Sequence, residues 1–323
     1  MELIKQLTAE FGLKANHVEN VVKLIDDGNT IPFIARYRKE MTGSLDDQVL
    51  RSLSERLSYL RGLEKRKEEV RASIEEQGKL TAEIEATLSA AKILSEVEDI
   101  YRPYKQKRRT RASIAKEKGL EPLALRILEQ QPESPDPLIL AEDYLCSEKE
   151  INSPEDALSG ALDIIAEQVS DNAALRGKLR AYFMKNAVFR SEGKTEDDSV
   201  YSMYYDYSEP VSKIAGHRVL AALRGEREGF LKVGIECAQN RCMEIVFREI
   251  VKPPVGPCTP AVKAACEDAY TRLIFPSIER EIRAQLTETA DENAIKVFAV
   301  NLKQLLMQPP VKGTVTLGFD PAY

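Results

Sequence analysis

Leucines recur along residues 45–77 at the spacing of one face of an α-helix. The intervals are three, four and three residues between Leu50, Leu53, Leu57 and Leu60. The stripe continues with Leu63, Val70 and Ile74. This spacing places the side chains on one side of a helix. Because each helical residue rises 1.5 Å, the segment would extend about 50 Å. The sequence therefore predicts one long helix, around which shorter helices can pack.

Three shorter apolar stretches precede this helix. They occupy residues 3–11, 18–25 and 31–35, and Gly12 and Gly28 end the first two. Thr30 precedes the third stretch as an N-cap, with Pro32 in its first turn. The pattern permits a helix-turn-helix, although Ala9 and Gly12 fit its usual spacing poorly, or a plain three-helix packing unit.

The remaining chain also has mainly helical periodicity. We expect helices at 81–100, 119–130, 137–145, 154–169, 171–190, 217–224, 261–285 and 288–307. We also expect a short helix that begins at Ser208, and Gly225 is expected to end the helix at 217–224. Strands are expected at 230–235 and 314–319. The fold class is mainly α: an irregular multi-helix array with helix-turn-helix elements, one long helix and a small β segment near 229–250.

Composition limits the possible functions. Of the 323 residues, 30% are charged and 43% hydrophobic, and the net charge of -6 permits only local contact with a polyanion. No run approaches the roughly 18 apolar residues of a membrane span, and the start lacks a signal-peptide pattern. We expect a cytoplasmic protein without a membrane contact. Five cysteines without a Cys-x-x-Cys spacing, and only two histidines, indicate reduced thiols and neither metal nor cofactor.

The clearest functional signal is the basic segment, residues 101–111. It carries six cations, two tyrosines and no carboxylate. Cations that meet phosphates, interleaved with rings that stack on bases, are typical of nucleic-acid contacts. The candidate nucleic-acid-binding residues are Arg102, Tyr104, Lys105, Lys107, Arg108, Arg109 and Arg111, and Tyr101 is a further candidate ring.

A second interpretation of the basic segment remains open. Glu96, Glu98 and Asp99 immediately precede it, and an arginine fork fits a carboxylate as well as a phosphate. The arginines could therefore pair internally or with another domain.

Residues 31–43 also allow two interpretations, a ligand-binding surface and a buried structural segment. Arg36, Arg38 and Lys39 lie beside Tyr37 and would form a second cationic surface. Alternatively, the segment is a buried turn anchored by Phe33 and Ile34. Its cations would then satisfy helix C-termini or the nearby Asp46 and Asp47. We favour the buried turn.

Other polar residues indicate structure rather than chemistry. The tyrosines at 201, 204, 205 and 207 lie among carboxylates, which favours packing between helices, with the phenol tips in water, over base stacking. His217 has no identifiable nucleophile and is interpreted as a helix-start residue. Asp320 follows the expected last strand, where RNase H-like nucleases place a first metal-binding carboxylate. Two-metal cleavage needs several such groups, so catalysis is not expected.

Four stretches together resemble the Tex family of bacterial transcription accessory proteins. They are TIPFIARYRKEMTG at 30–43, YRPYKQKRRTR at 101–111, PSIEREIR at 276–283 and LGFDP at 317–321. The resemblance implies a helical N-terminal half with helix-turn-helix elements, followed by a YqgF-type, RNase H-like domain, a helix-hairpin-helix region and an OB-fold RNA-binding domain. In the family, nucleic-acid affinity is attributed largely to the OB-fold domain, which this sequence lacks, so weak binding is expected.

From this resemblance we expect a Tex-like helical domain at 1–200, a helical and helix-turn-helix region with a small α/β element at 201–312, and the first strand of a truncated RNase H-like domain at 313–323. The expected function is non-catalytic binding of RNA or DNA and a scaffold role in transcription. RNA polymerase or ribosome-associated proteins are possible partners. The alternatives are a protein-interaction scaffold without nucleic-acid contact and a truncated RNase H-like nuclease.

Overall fold

The computed structural model of the chain describes residues 2–105, 109–195, 198–309, 312, 313, 315 and 317–319. Two compact units comprise residues 1–108 and 109–323. Helices dominate both units, which confirms the mainly α fold class. No helix in these ranges has both the length and the apolar character needed to cross a membrane. The expected domain limits at residues 200 and 312 stay a prediction.

The first unit is built on the long helix that the leucine stripe predicts. Its helices are α1 (Glu2–Phe11), α2 (Ala15–Asp26), α3 (Ile31–Tyr37), α4 (Lys39–Thr42), α5 (Asp47–Glu76), α6 (Ala82–Ala90) and α7 (Leu94–Tyr101), followed by a 3₁₀ turn (Arg102–Tyr104). Asp46 caps α5 by accepting a hydrogen bond from the Val49 amide at 2.8 Å. The N-terminal half of the stripe packs with α1 to α3, and its C-terminal half packs with α6 and α7. The helix-turn-helix assignment stays a prediction.

Arginines occur every fifth residue along α5, and each one pairs with a carboxylate. Since five residues turn a helix by about 140°, the arginines point in successive directions and reach different neighbours. The pairs are Arg51 with Asp47, Arg56 with Glu10 of α1, Arg61 with Asp26 of α2, Arg66 with Glu69 and with Glu98 of α7, and Arg71 with Glu85 of α6. We call this set the α5 arginine ladder.

The second unit combines helices with a small sheet. Its elements are α8 (Arg111–Glu117), α9 (Glu121–Glu129), α10 (Pro137–Glu142), a 3₁₀ turn (Ser147–Lys149), α11 (Pro154–Ser170), α12 (Ala173–Asn186), β1 (Val188–Gly193), a 3₁₀ turn (Ser202–Tyr204), β2 (Asp206–Pro210), α13 (Gly216–Arg227), β3 (Leu231–Glu236), α14 (Gln239–Ile250), α15 (Thr259–Asp268), a π-helical turn (Ala269–Ile274) and α16 (Phe275–Leu306). Its buried side chains form one hydrophobic core centred on α11.

The sheet is antiparallel, with strand order β2-β1-β3. Val188 lies opposite Pro210 on one side and Glu236 on the other. Phe189 points into the core, whereas Arg190 points away and contacts Glu192. The strand expected at 230–235 is confirmed as β3.

Two expected helices are wrong where the chain forms this sheet. Helix α12 ends at Asn186, and the residues expected to extend it to 190 begin β1. The segment around Ser208, expected to start a helix, is the edge strand β2. Proline is tolerated at Pro210 because an edge strand has an unpaired side, where no amide hydrogen is needed.

Three helix boundaries also differ from expectation. The helix expected at 81–100 is broken between α6 and α7, where Ala91 is extended and buried. Gly225 does not stop α13; it lies inside the helix, where a methyl group would collide with Leu231. The expected break near 286 is absent, because α16 runs continuously from Phe275 to Leu306.

The tyrosine cluster packs in the protein, as expected, but it lies at a 3₁₀ turn and at β2, and hydroxyls that were expected in water bond to protein groups. Tyr201 and Tyr204 are buried in the core, and the Tyr201 hydroxyl donates a hydrogen bond to Glu228 at 2.8 Å. The described residues of the expected terminal strand, 315 and 317–319, lie in no strand. Asp320 lies outside the described residues.

A buried charge network joins α12 to α16. Arg176 is completely buried and donates to Ser277 Oγ at 3.0 Å and to Glu281. Arg180 donates to the other Glu281 oxygen at 2.8 Å. Burial alone would raise the pKa of Glu281, but the two arginines outweigh it and hold the pKa below its usual value. Glu281 is therefore ionised and fixes α16 against α12.

Glu281→Gln should loosen this helix pair, because it leaves the buried Arg176 charge without its counter-ion. Losing one partner of a buried pair costs on the order of 3 kcal/mol. Hydrogen exchange measured by mass spectrometry should show faster exchange in peptides from α12 and α16. Glu288→Gln, an exposed position on α16, is the matched control and should exchange like the wild type. Equal protection in both variants would contradict the role of Glu281.

The pair between Glu10 and Arg56 should make the first unit less stable in acid. The hydrogen bond from Arg56 lowers the pKa of Glu10 to about 2 despite partial burial. In the unfolded chain the pKa is about 4.3, so the stabilisation is complete above that pH and is lost as pH falls towards 2. Water screens this half-exposed pair, so its contribution should be at most about 1 kcal/mol.

Urea unfolding of the wild type and of Glu10→Gln should therefore differ at pH 7, and the difference should shrink progressively as pH falls from about 4 towards 2. The control is Glu19→Gln, which removes an exposed carboxylate that takes part in no ion pair among the described residues. A difference between wild type and Glu10→Gln that stays constant down to pH 3 would contradict the assignment.

Candidate nucleic-acid interface

The basic segment begins in the first unit, at the end of α7. Tyr101 packs against the hydrophobic cluster around Val70, and its hydroxyl lies 3.0 Å from Ser73 Oγ. The Arg66 guanidinium lies 5.5 Å from the Tyr101 ring centroid. One face of this ring is therefore occupied within the protein, which leaves it poorly placed to stack on a base.

Tyr104 is anchored in the same way. Its ring is half-buried against this cluster, and its carbonyl accepts a hydrogen bond from Gln77 at 2.9 Å. Arg102 is half-buried and engaged within the protein. Lys105 is exposed and forms no ion pair within the described part of the chain. Direct contact of Tyr104 with a base stays a prediction.

Two of the carboxylates expected to neutralise the segment are engaged elsewhere. Glu98 accepts a hydrogen bond from Arg66 at 2.7 Å, and Glu96 accepts one from the Lys92 amide at 2.7 Å. Asp99 is buried. Asp99 is also engaged within the protein. Glu96 and Glu98 therefore serve contacts of α7, and neither pairs with Lys105.

The basic segment continues in the second unit with Arg109 and Arg111; Lys107 and Arg108 lie outside the described residues. Arg109 is 74% exposed and lies 3.7 Å from Glu117, at the edge of ion-pair range. Such an exposed pair contributes less than about 1 kcal/mol, so phosphate can replace the carboxylate.

Arg111 is in a different electrostatic setting. It begins α8 after Thr110, whose side chain caps the helix, and it lines a cavity with Asp163. Burial raises the pKa of Asp163, while Arg272 and then Arg111 oppose this increase. Carboxylates thus partly compensate Arg111, which makes it a weaker candidate than Arg109.

The preferred interpretation of residues 31–43 is wrong about the cations. Asp46 caps α5, and Asp47 pairs with Arg51. The cations at 36, 38 and 39 are all exposed and form no ion pair within the described ranges. Of the two expected apolar anchors, Ile34 is buried, whereas Phe33 is exposed.

Candidate metal ligands, His217 and the cysteines are the other groups with the potential for chemistry. Within the described ranges, no group of three or more His, Cys, Asp and Glu residues could hold a metal ion. His217 is exposed at the start of α13, in agreement with its structural interpretation. Cys237 and Cys242 lie with their sulfurs 3.8 Å apart, and the described cysteines are free thiols.

A feature that the sequence analysis missed is the apolar distal half of α16. From Asp291 onward its side chains are exposed, including Ile295 (67%), Phe298 (66%) and Leu305 (62%). A helix that is apolar on several sides is normally buried. The signal was present in the sequence as apolar side chains crowded into residues 294–307, but periodicity alone did not show that they lack packing partners.

Fold and surface together define a helical protein with separate basic and apolar surfaces. Its sequence matches the Tex central region-like family over residues 132–298 and the Tex-like protein N-terminal domain over residues 1–75. The central match alone covers more than half of the chain. The chain belongs to the Tex family.

Relatives from bacteria and animals match along the whole chain. YdcI of Bacillus subtilis is 47% identical over 325 residues, which cover 99% of this chain and 45% of YdcI. The transcriptional accessory protein Tex of Neisseria gonorrhoeae is 41% identical, covering 100% of this chain and 43% of that protein. The human S1 RNA-binding domain-containing protein 1 is 28% identical, with 100% and 34% covered. The chain thus spans less than half the length of these relatives.

Proposed function

We propose that the chain is a non-catalytic, nucleic-acid-binding part of a transcription accessory protein. Membership of the Tex family supports the link to transcription, because the Neisseria relative is named for that role. The name of the human relative includes an RNA-binding domain, which supports nucleic acid as the ligand. The observation that carries the proposal is the exposure of two cations in the basic segment: Lys105 forms no ion pair among the described residues, and the pair of Arg109 with Glu117 is long and open to water.

The proposed contact is electrostatic and does not depend on base sequence. Lys105, Lys107, Arg108 and Arg109 neutralise phosphates and release the counter-ions condensed on the strand. Arg102, Tyr104 and Arg111 flank these cations; Arg102 and Tyr104 anchor the start of the segment. RNA and DNA both offer the required phosphates, so either can bind.

The proposal assigns the chain to the cytoplasm and to the surroundings of RNA polymerase or the ribosome. No chemical step is assigned to any described residue.

A second candidate function is a protein-interaction scaffold. The exposed apolar half of α16 favours it, because side chains such as Ile295 and Phe298 gain from leaving water. In that case the basic segment contacts a protein, and nucleic acid does not bind directly. The two functions predict different results in a binding titration.

Lys105→Ala with Arg109→Ala should weaken binding mainly by removing phosphate contacts. Fluorescence anisotropy with a labelled 16-nucleotide single-stranded RNA, titrated at several salt concentrations, measures the effect. Four neutralised phosphates give a slope of log K against log salt of about -3. Removing two of these contacts should make the slope shallower by about 1.4.

The control is Lys5→Ala with Lys213→Ala, which removes one exposed lysine from each unit. This control should keep the wild-type slope. An unchanged slope in the Lys105 and Arg109 variant would exclude the basic segment from the interface. Absence of wild-type binding even at low salt would favour the scaffold function.

A further inference from the structure

Helices α3 and α4 present rings and cations together on the surface of the first unit. Phe33, Arg36, Tyr37, Arg38 and Lys39 form what we call the α3 surface. All five side chains are exposed, Tyr37 to 66%. Large aromatic side chains usually lose more of their surface to the core than this.

The two rings of the α3 surface form an ordered pair. Phe33 and Tyr37 are four residues apart, so they lie on the same side of the helix, with ring centroids 5.2 Å apart. The Arg38 guanidinium lies 5.3 Å from the Phe33 centroid. Phe33 is thus in contact with both Tyr37 and Arg38, and Tyr37 is the more exposed of the two rings.

The cations of the α3 surface differ from those of the α5 arginine ladder. Every ladder arginine meets a carboxylate, whereas Arg36, Arg38 and Lys39 meet none within the described ranges. Glu40 is the acidic neighbour in sequence. Residues 1–108 contain equal numbers of basic and acidic side chains, so the net charge of -6 resides in residues 109–323. An anion approaching the first unit therefore meets no net negative charge there.

Buried contacts hold this surface in place. Ile34 and Thr42 are completely buried on either side of the cations. Asn20 of α2 donates a hydrogen bond to the Met41 carbonyl at 2.8 Å. Gly43 adopts a left-handed φ of 70°, where a side chain would collide with His17. The backbone that carries the rings and cations is therefore held in place, which reduces the entropic cost of binding a ligand.

We propose that the α3 surface is a second binding site, a stacking platform for the unpaired bases of a single-stranded nucleic acid. Tyr37 stacks on a base, and Arg36 and Lys39 contact the phosphates on either side of it. A single strand makes two kinds of contact with proteins: its bases stack on aromatic rings, and its phosphates bind cations. The α3 surface offers exposed groups of both kinds. An acidic peptide would use the cations but has no need of the open ring. The inference rests on the proposed nucleic-acid function and adds a site that recognises bases.

The test separates stacking from charge in the full chain. Tyr37→Ala should weaken binding of the 16-nucleotide single-stranded RNA about tenfold without changing the salt slope, because it removes a ring and no charge. Tyr37→Phe keeps the ring and should bind within about twofold of the wild type. Arg36→Ala with Lys39→Ala should make the salt slope shallower by about 1.4.

The matched control is Tyr59→Ala. Tyr59 is a half-exposed ring with the Arg56 guanidinium 5.0 Å from its centroid, but Arg56 is paired with Glu10. Its removal should leave RNA binding unchanged. A blunt duplex of the same sequence has no unpaired bases, so Tyr37→Ala should not alter duplex binding. Circular dichroism confirms that each variant is folded.

One outcome would overturn the α3 surface alone. In it, binding is weaker in the Lys105→Ala with Arg109→Ala variant but unchanged in Tyr37→Ala and in Arg36→Ala with Lys39→Ala. The α3 surface is then not a nucleic-acid site, and the proposed function stands. Absence of binding by the wild-type chain at low salt overturns both. An equal loss of single-strand and duplex binding in Tyr37→Ala would also overturn the stacking role.

Discussion

Charge compensation along α5 is the constraint on which the first unit depends. The leucine stripe fixes one side of α5 in the core, and the arginine ladder then ties its other sides to α1, α2, α6 and α7. Each pair alone is weak because it is partly exposed. Together the pairs join α5 to four neighbouring helices. By contrast, the cations of the α3 surface and Lys105 are exposed and form no ion pair with the carboxylates that the structure describes, which leaves them available to an external anion.

The second unit uses charge in the opposite way. Arg176 and Arg180 share Glu281 in and near the core, and Arg272 meets Asp163 and Asp268. These cations hold helices together and are not available to a ligand. The excess of acidic residues in this unit also opposes a phosphate backbone. The exposed apolar half of α16 suits a protein contact better, so the two units offer surfaces of different chemistry.

Much of the fold follows from the sequence because helical periodicity is local. The leucine stripe predicts α5 within a few residues, and the apolar stretches before it predict α1 to α3. The sheet was harder to find. Residues 188–191 continue a helical pattern as readily as they alternate, and only pairing with β2 and β3 decides the outcome. Gly225 was misread because its role depends on Leu231, a contact that no local signal reveals.

The candidate nucleic-acid interface was only partly predictable, because ion pairs, like strand pairing, depend on contacts between residues distant in sequence. Residue types identified the basic segment and residues 31–43 as candidates, but neighbouring carboxylates in sequence are poor guides to ion pairs. Asp47 pairs with Arg51 and Glu98 with Arg66, whereas long-range pairs such as Arg56 with Glu10 consume other charges.

The most direct test of uncompensated cations as the binding surface is photo-cross-linking of the wild-type chain to a single-stranded RNA that carries 4-thiouridine, with the linked peptides identified by mass spectrometry. Cross-links should concentrate in residues 31–43 and 101–111. Cross-links spread along the α5 arginine ladder, or confined to residues 112–323, would contradict the account.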